Sequence, residues 1–155
     1  MTWASETTSW RLRPATSADG DIVLAMLREA NLPTEGVVDF FPEGYIVAES
    51  GGSVIAAAGL ESYGDSGLLR SLVVSPLFRG QGIGEALIGC LLSSARSADL
   101  EAVYLLTTTA REYLARRGFT GVDRVSVPAG IRASVEFAGA CPATAACMVM
   151  RITSS

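Results

Sequence analysis

The most restrictive stretch of the sequence is a handover. The apolar run Leu68-Leu69-Arg70-Ser71-Leu72-Val73-Val74 leads through Ser75-Pro76-Leu77-Phe78 into Arg79-Gly80-Gln81-Gly82-Ile83-Gly84. Small or apolar residues then recur at Ile83, Ala86, Leu87, Cys90, Leu91 and Ser94. The first run predicts a buried strand and the second spacing one buried helix face, so a strand passes to a helix through alternating glycines. Successive N–H groups at a helix N-terminus lack intrahelical partners, and the helix dipole adds partial positive charge there. Glycines without a Cβ allow close backbone approach and Arg79 adds a charge-assisted contact, so the turn suits a phosphate or pyrophosphate. The same spacing also serves a strand-to-helix turn that is tight for packing reasons alone. A dinucleotide fingerprint would need a glycine where Glu85 stands, and a nucleotide P-loop would need a lysine, which the chain lacks.

The segments on either side set the fold class. Met1 to Ser9 reads as a frayed tail and residues 10–155 as one domain, since 155 residues support one core and not two. "WRLRPAT" predicts a first strand stopped by Pro14, with Thr16 or Ser17 capping the helix "DGDIVLAMLREAN". After the turn-rich "NLPTEGVVDFFPEG", "YIVAES" and "SVIAAAGLESY" read as strands joined at Gly51-Gly52, and "GDSG" turns the chain into "LLRSLVVS". "AVYLLTTT" predicts a buried strand and "AREYLARRGF" a short helix ended at Gly118. "GVDRVSVP" predicts a strand ended at Pro128, "AGIRASVEFAG" a short helix, and "AACMVMRI" the last strand. The expectation is an α/β fold with a mixed, mostly antiparallel sheet of about seven strands flanked by helices.

Composition then narrows the chemistry. A net charge of −4 supplies no basic face, so nucleic acid is not an expected partner. The chain has no His and all twelve basic residues are Arg, which removes imidazole bases and Schiff-base lysines. Asp, Glu, Tyr, Cys, backbone and water are left for proton transfer. No charged-then-apolar leader and no long uninterrupted apolar stretch is visible, so neither secretion nor a membrane span is expected. Three cysteines fit a reducing cytoplasm better than an oxidising compartment, and without His they predict no metal site.

"LVVSPLFRGQGIGEALI" resembles the Arg/Gln-x-x-Gly-x-Gly/Ala motif of the GNAT family of N-acetyltransferases, and "LRPAT", "YIVAES" and "YLARRGF" extend the resemblance over nearly the whole chain. That resemblance implies acetyl-CoA as co-substrate, with a sheet splayed at the cofactor strand. Leu72, Val73 and Val74 match the strand backbone that meets acetyl and pantetheine. Arg79, Gly80, Gln81, Gly82, Ile83, Gly84 and Glu85 match the pyrophosphate turn. "TTTAREYLARRGF" matches the second conserved region with Ala110, Gly118 and Phe119 in register, and Thr107 stands at the usual Asn, a cofactor contact along with Ala110. The family's frequent general acid, a Tyr, is Leu114 here. Tyr113 lies one position away, either a proton donor or an aromatic packed beneath the cofactor.

Acetyl transfer to an amine needs a neutral nitrogen, a stabilised oxyanion and a proton for the thiolate. A backbone N–H of the strand Leu72 to Val74 meets the oxyanion, and Glu61 is the carboxylate placed to deprotonate an aliphatic ammonium through a water. Glu61 reads equally as a solvent-facing strand residue. Arg70, inside an apolar strand, either binds an acidic substrate, pairs with Glu61, or points outward. "NLPTEG", "VYLLTTTA", "VDRVSVPAGIR" and "CPATAACM" resemble the arsenic-resistance branch of the same family. That narrower resemblance implies an amine-bearing, aromatic and possibly trivalent organoarsenical as substrate, with Cys141 and Cys147 holding the arsenic. Thr34, Glu35 and Phe41 then form a substrate lid, with Arg70, Ser71 and Arg132 as further substrate contacts and a homodimer as a family habit. Both cysteines read equally as small buried hydrophobes, and the turn-rich loop as a plain connector. Two other functions remain open: acetylation of a different amine, such as an amino-acid-like antibiotic or a peptide N-terminus, and a module that binds acetyl-CoA or arsenic without turnover.

Overall fold

The structure, a computed structural model, describes residues 9–37, 41–108, 110–134 and 145–152. Seven strands, β1 (Arg11–Pro14), β2 (Tyr45–Ser50), β3 (Ser53–Tyr63), β4 (Ser66–Val74), β5 (Ala102–Thr107), β6 (Thr120–Gly121) and β7 (Ala146–Arg151), form one sheet in the order β1-β2-β3-β4-β5-β7-β6. The helices are α1 (Gly20–Glu29), α2 (Ile83–Ser97), α3 (Arg111–Arg116) and α4 (Ala129–Arg132). Neighbouring strands β1/β2, β2/β3, β5/β7 and β6/β7 run antiparallel. β4 and β5 run parallel over Ser66↔Ala102, Gly67↔Val103 and Leu68↔Tyr104, as they must when a helix crossover, here α2, joins them. The expected mixed α/β sheet is therefore the observed one.

The chain gathers into two compact units, one of residues through Gly59 with Ser71–Cys90, the other of Leu60–Arg70 with the residues from Leu91 onward. In the first, the 3.6-residue spacing of α1 turns Val23, Met26 and Leu27 onto Val37, Tyr45, Val47, Ala57 and Val73. Arg13 pins the margin of this unit. Its guanidinium meets Asp19 Oδ2 and Oδ1 at 2.9 and 3.0 Å and Glu49 Oε1 at 2.5 Å, tying β1 to β2 and to the entry of α1. Asp19 also accepts the Thr16 N–H at 2.8 Å, and these bonds outweigh its burial, holding its carboxyl down at about 2. In the second unit Leu68, Ala102, Tyr104, Val127, Ile131, Cys147 and Val149 form the core. Ala102 to Leu105 are buried without alternation, which explains the unbroken apolar reading of β5.

Several local expectations change. The strand predicted through Pro128 is β6 alone, two residues long. Beyond it Val122 donates one further bond to Cys147 O, and Ser126 and Val127 then bond back to Asp123 and Arg124 as a 3-10 turn. That turn buries Val127 and leaves Val125 79% exposed, so the valines that suggested a strand do not share a face. Pro14 is the last residue of β1 rather than its stop, tolerated because β1 lies at the sheet edge. The buried stripe of α2 is Ile83, Leu87, Ile88, Leu91, Leu92 and Ala95, rotated from the expected one, so Ser94 is exposed and Cys90 only half-buried. Helix α4 covers only the start of "AGIRASVEFAG", whose residues 135–139 lie outside the described residues. Ser9, read as part of a frayed tail, accepts a 2.6 Å bond from the Ser50 hydroxyl.

Candidate functional site

The glycine turn folds as its composition requires. Gly80 and Gly82 both take φ of +83°, a left-handed conformation open to glycine, and a Cβ on either would meet no atom within 4 Å. Left-handed residues alternating with ordinary ones turn their amides to one side, and α2 begins directly afterwards at Ile83. The first bond closed within the helix is Ala86 N–H to Gly82 O at 3.1 Å, so the amides that open α2 precede it. Gly84 lies in that first turn beside the exposed Glu85. Arg79 is exposed, with its Nε donating to Val74 O at 3.3 Å, which lays the side chain back along the end of β4. Gln81 Oε1 is buried without a hydrogen-bond partner. Left-handed glycines with open space at their Cα atoms and a fifteen-residue helix starting directly after them fit an anionic diphosphate.

Along β4, Val73 is buried in the core of its unit while Leu72 and Val74 are half-buried, the alternation of a strand. Ser71 breaks that regularity with φ of +63°. Its hydroxyl lies 3.1 Å from the phenol of Tyr45, a buried pair. The Phe41 ring tilts onto Tyr45 at 58° with centroids 5.1 Å apart and packs against the same core. Of the expected lid, Phe41 therefore reaches Tyr45, the partner of Ser71. Thr34 is half-buried with its carbonyl accepting the Val37 N–H, and Glu35 is exposed.

In the second unit Glu61 and Arg70 face one another at 3.4 Å with side chains 2% and 1% exposed, and Tyr63 donates its hydroxyl to Glu61 at 2.7 Å. The pairing reading of Arg70 is thus the observed one, and neither side chain faces solvent. Thr107 Oγ1 accepts the Ala110 N–H at 3.0 Å, closing the turn from β5 into α3. Leu114 is buried, whereas Tyr113 is half-buried with Arg117 stacked 4.4 Å over its ring. Cys147 sits in the apolar core, and burial pushes its thiol pKa up against the opposing pull of Arg124. Arg132 is exposed at the end of α4, and Cys141 lies outside the described residues. Tyr63 and Tyr45 escaped the sequence reading. Tyr63 had a signal, since residues two apart on a strand share a face with Glu61.

This fold and this turn define an acyltransferase scaffold. The chain belongs to the acetyltransferase (GNAT) family, whose sequence pattern matches residues 9–119. It is 34% identical over 68% of its length to an amino-acid acetyltransferase of Mycobacterium tuberculosis, of which it spans 61%. It is 30% identical to YwlB of Bacillus subtilis, covering 83% of this chain and 87% of that one. N-acetylglutamate synthase from Neisseria gonorrhoeae, solved with coenzyme A and N-acetyl-glutamate, superposes with a TM-score of 0.81 at 23% identity over 94% of this chain and 36% of that one. The likeness of that structure is one of fold. Among the described residues no helix is long and apolar enough to cross a membrane.

Proposed function

We propose that the chain transfers the acetyl group of acetyl-CoA to the amine of a small, amino-acid-like molecule. The observation that carries this reading is the turn after β4, where two left-handed glycines and the start of α2 offer amides to a diphosphate. Arg79 adds charge at the rim, and the backbone of Leu72 to Val74 lines up the acetyl and pantetheine arm. In the transfer the amine nitrogen forms a bond to the thioester carbonyl carbon and the C–S bond breaks. The nitrogen's proton leaves to water, since Glu61 is buried and paired with Arg70, and the departing thiolate collects its proton from solvent. A backbone N–H on β4 stabilises the oxyanion between these events. Tyr113, under Arg117, is the side chain to test as an alternative donor.

The amino-acid class rests on the name of the Mycobacterium tuberculosis relative. The arsenical reading has no comparable support: Cys147 is buried among apolar side chains with its thiol pKa raised, which disfavours the thiolate that a soft ion requires. The deciding experiment measures release of the CoA thiol over a panel of free amino acids, peptide N-termini, an arylamine and a trivalent aminophenyl arsenical, beside calorimetry with acetyl-CoA. Release with an amino acid, rising with pH through the ionisation of its amine, is expected. Failure to take up acetyl-CoA removes the reading, and uptake without release from any amine leaves a binding module in its place.

A further inference from the structure

Among the described residues three that are not glycine have positive φ. Asn31 and Asp99 follow the ends of α1 and α2, where a left-handed residue commonly terminates a helix and short polar side chains tolerate it. Ser71, at +63°, lies inside a strand, where no such cap is called for. A left-handed residue in a strand turns the peptide that follows it out of the ladder direction, here the one carrying the N–H of Leu72. Serine holds this geometry at a cost that glycine would not incur, so something must hold it.

Tyr45 reaches this residue. It opens β2 directly opposite Gly59 on β3, and β4 lies on the far side of β3. A Cβ on Gly59 would stand 2.5 Å from Tyr45 Cζ and under 3 Å from both Cε atoms, so the ring lies flat across the bare backbone of β3. Laid this way, the phenol reaches over one strand to the next and meets Ser71 Oγ at 3.1 Å in a buried contact. The Phe41 ring tilts against it.

We infer that Tyr45 is a positioning residue: through its hydroxyl it keeps Ser71 left-handed and thereby aims the Leu72 N–H at the oxyanion of acetyl transfer. The inference rests on the acetyltransferase reading above. An amide aimed at the oxyanion acts when the carbonyl carbon is tetrahedral, so loosening it lowers kcat and leaves the KM for acetyl-CoA unchanged.

The test compares Tyr45→Phe, Ser71→Ala, Ser71→Gly and the Tyr45→Phe/Ser71→Gly pair by steady-state CoA release, with thermal midpoints to certify folding. Phenylalanine keeps the ring across Gly59. Tyr45→Phe and Ser71→Ala are each expected to lower kcat about tenfold with little change in KM. Ser71→Gly loses the same hydroxyl as Ser71→Ala but takes positive φ without strain, so its kcat is expected to exceed that of Ser71→Ala several-fold, and Tyr45→Phe to cost nothing further in that background. Equal kcat for Ser71→Ala and Ser71→Gly, or a full Tyr45→Phe loss in the glycine background, overturns the role of Tyr45 while an active wild type leaves the acetyltransferase reading standing. A wild type that binds acetyl-CoA but acetylates nothing overturns both.

Discussion

Replacing Asp19 by asparagine should remove part of this protein's loss of stability on acidification below pH 4. Asp19 is buried, accepts two bonds from the Arg13 guanidinium and one from the Thr16 amide, and its carboxyl is lowered from an ordinary 3.8 to about 2, with the Arg13 bonds the largest cause. A carboxyl held down in the folded state binds its proton less readily there than in the unfolded chain, so the stabilisation is fully present above pH 4 and drains away as pH falls toward 2. At 1.36 kcal/mol for each pH unit the lowering is worth about 2 kcal/mol at neutral pH. The side chains are 9% and 29% exposed, so solvent screening removes only a modest part of this. The side-chain carbonyl introduced by Asp19→Asn would still accept the Thr16 amide, while its NH2 would face the Arg13 donor that Oδ1 now accepts, so the loss has a pH-independent part beside the ionic part that shrinks on acidification. Urea unfolding of wild type and Asp19→Asn at pH 7, 5, 4 and 3 measures it. A gap of at least about 2 kcal/mol that narrows on acidification is expected. A gap of constant size at every pH would refute the argument, because it would locate the loss in packing or neutral hydrogen bonding.

Gly82→Ala should weaken acetyl-CoA binding about tenfold in calorimetry with little change in thermal midpoint, because the exposed turn relaxes out of a left-handed angle that would cost alanine about 1–2 kcal/mol, and binding must then restore it. Gly59→Ala should destabilise the fold by about 1–3 kcal/mol in urea unfolding, since its Cβ would stand 2.5 Å from the Tyr45 ring and force it off β3. Cys147 should stay unmodified by a disulfide reagent at pH 8 in the folded protein and react on unfolding, as peptide mapping by mass would show, because burial both shields the thiol and raises its pKa.

Elements with a strong period are legible in the sequence. β5 reads as one apolar run because both its faces are buried, and α1 reads as a helix because Val23, Met26 and Leu27 recur on one side. The segment after β6 misled because valines raise the strand expectation wherever they fall, and only the turn bonds to Asp123 and Arg124 decide that Val125 faces solvent while Val127 is buried. Glu61 was hard for a different reason. A lone carboxylate on a strand reads as exposed, and its burial depends on Arg70 nine positions on and on a tyrosine hydroxyl, a combination that no single residue announces. The turn was legible because glycines at fixed spacing encode backbone geometry directly. The contact of Tyr45 with Ser71 was not, since it spans 26 residues and depends on an inconspicuous glycine at position 59.

That contrast bears on how the chain distributes its unusual backbone. Gly80 and Gly82 adopt left-handed angles that cost glycine nothing. Ser71 adopts a similar angle at a cost, and there the chain brings a buried phenol over a neighbouring strand and an aromatic ring against that phenol. A glycine at position 71 would have reached the same angle more simply, but it would also have let the peptide relax among other angles. A strained residue held by a specific hydrogen bond has one geometry, and an amide that must meet a transient oxyanion gains more from a fixed direction than from an unstrained one. On the proposed reading, the anionic tail of the cofactor tolerates a pliable cradle because several amides share its charge, whereas the reacting carbonyl is met by one. Strain at Ser71 and none at Gly80 and Gly82 is what that difference in demand would call for.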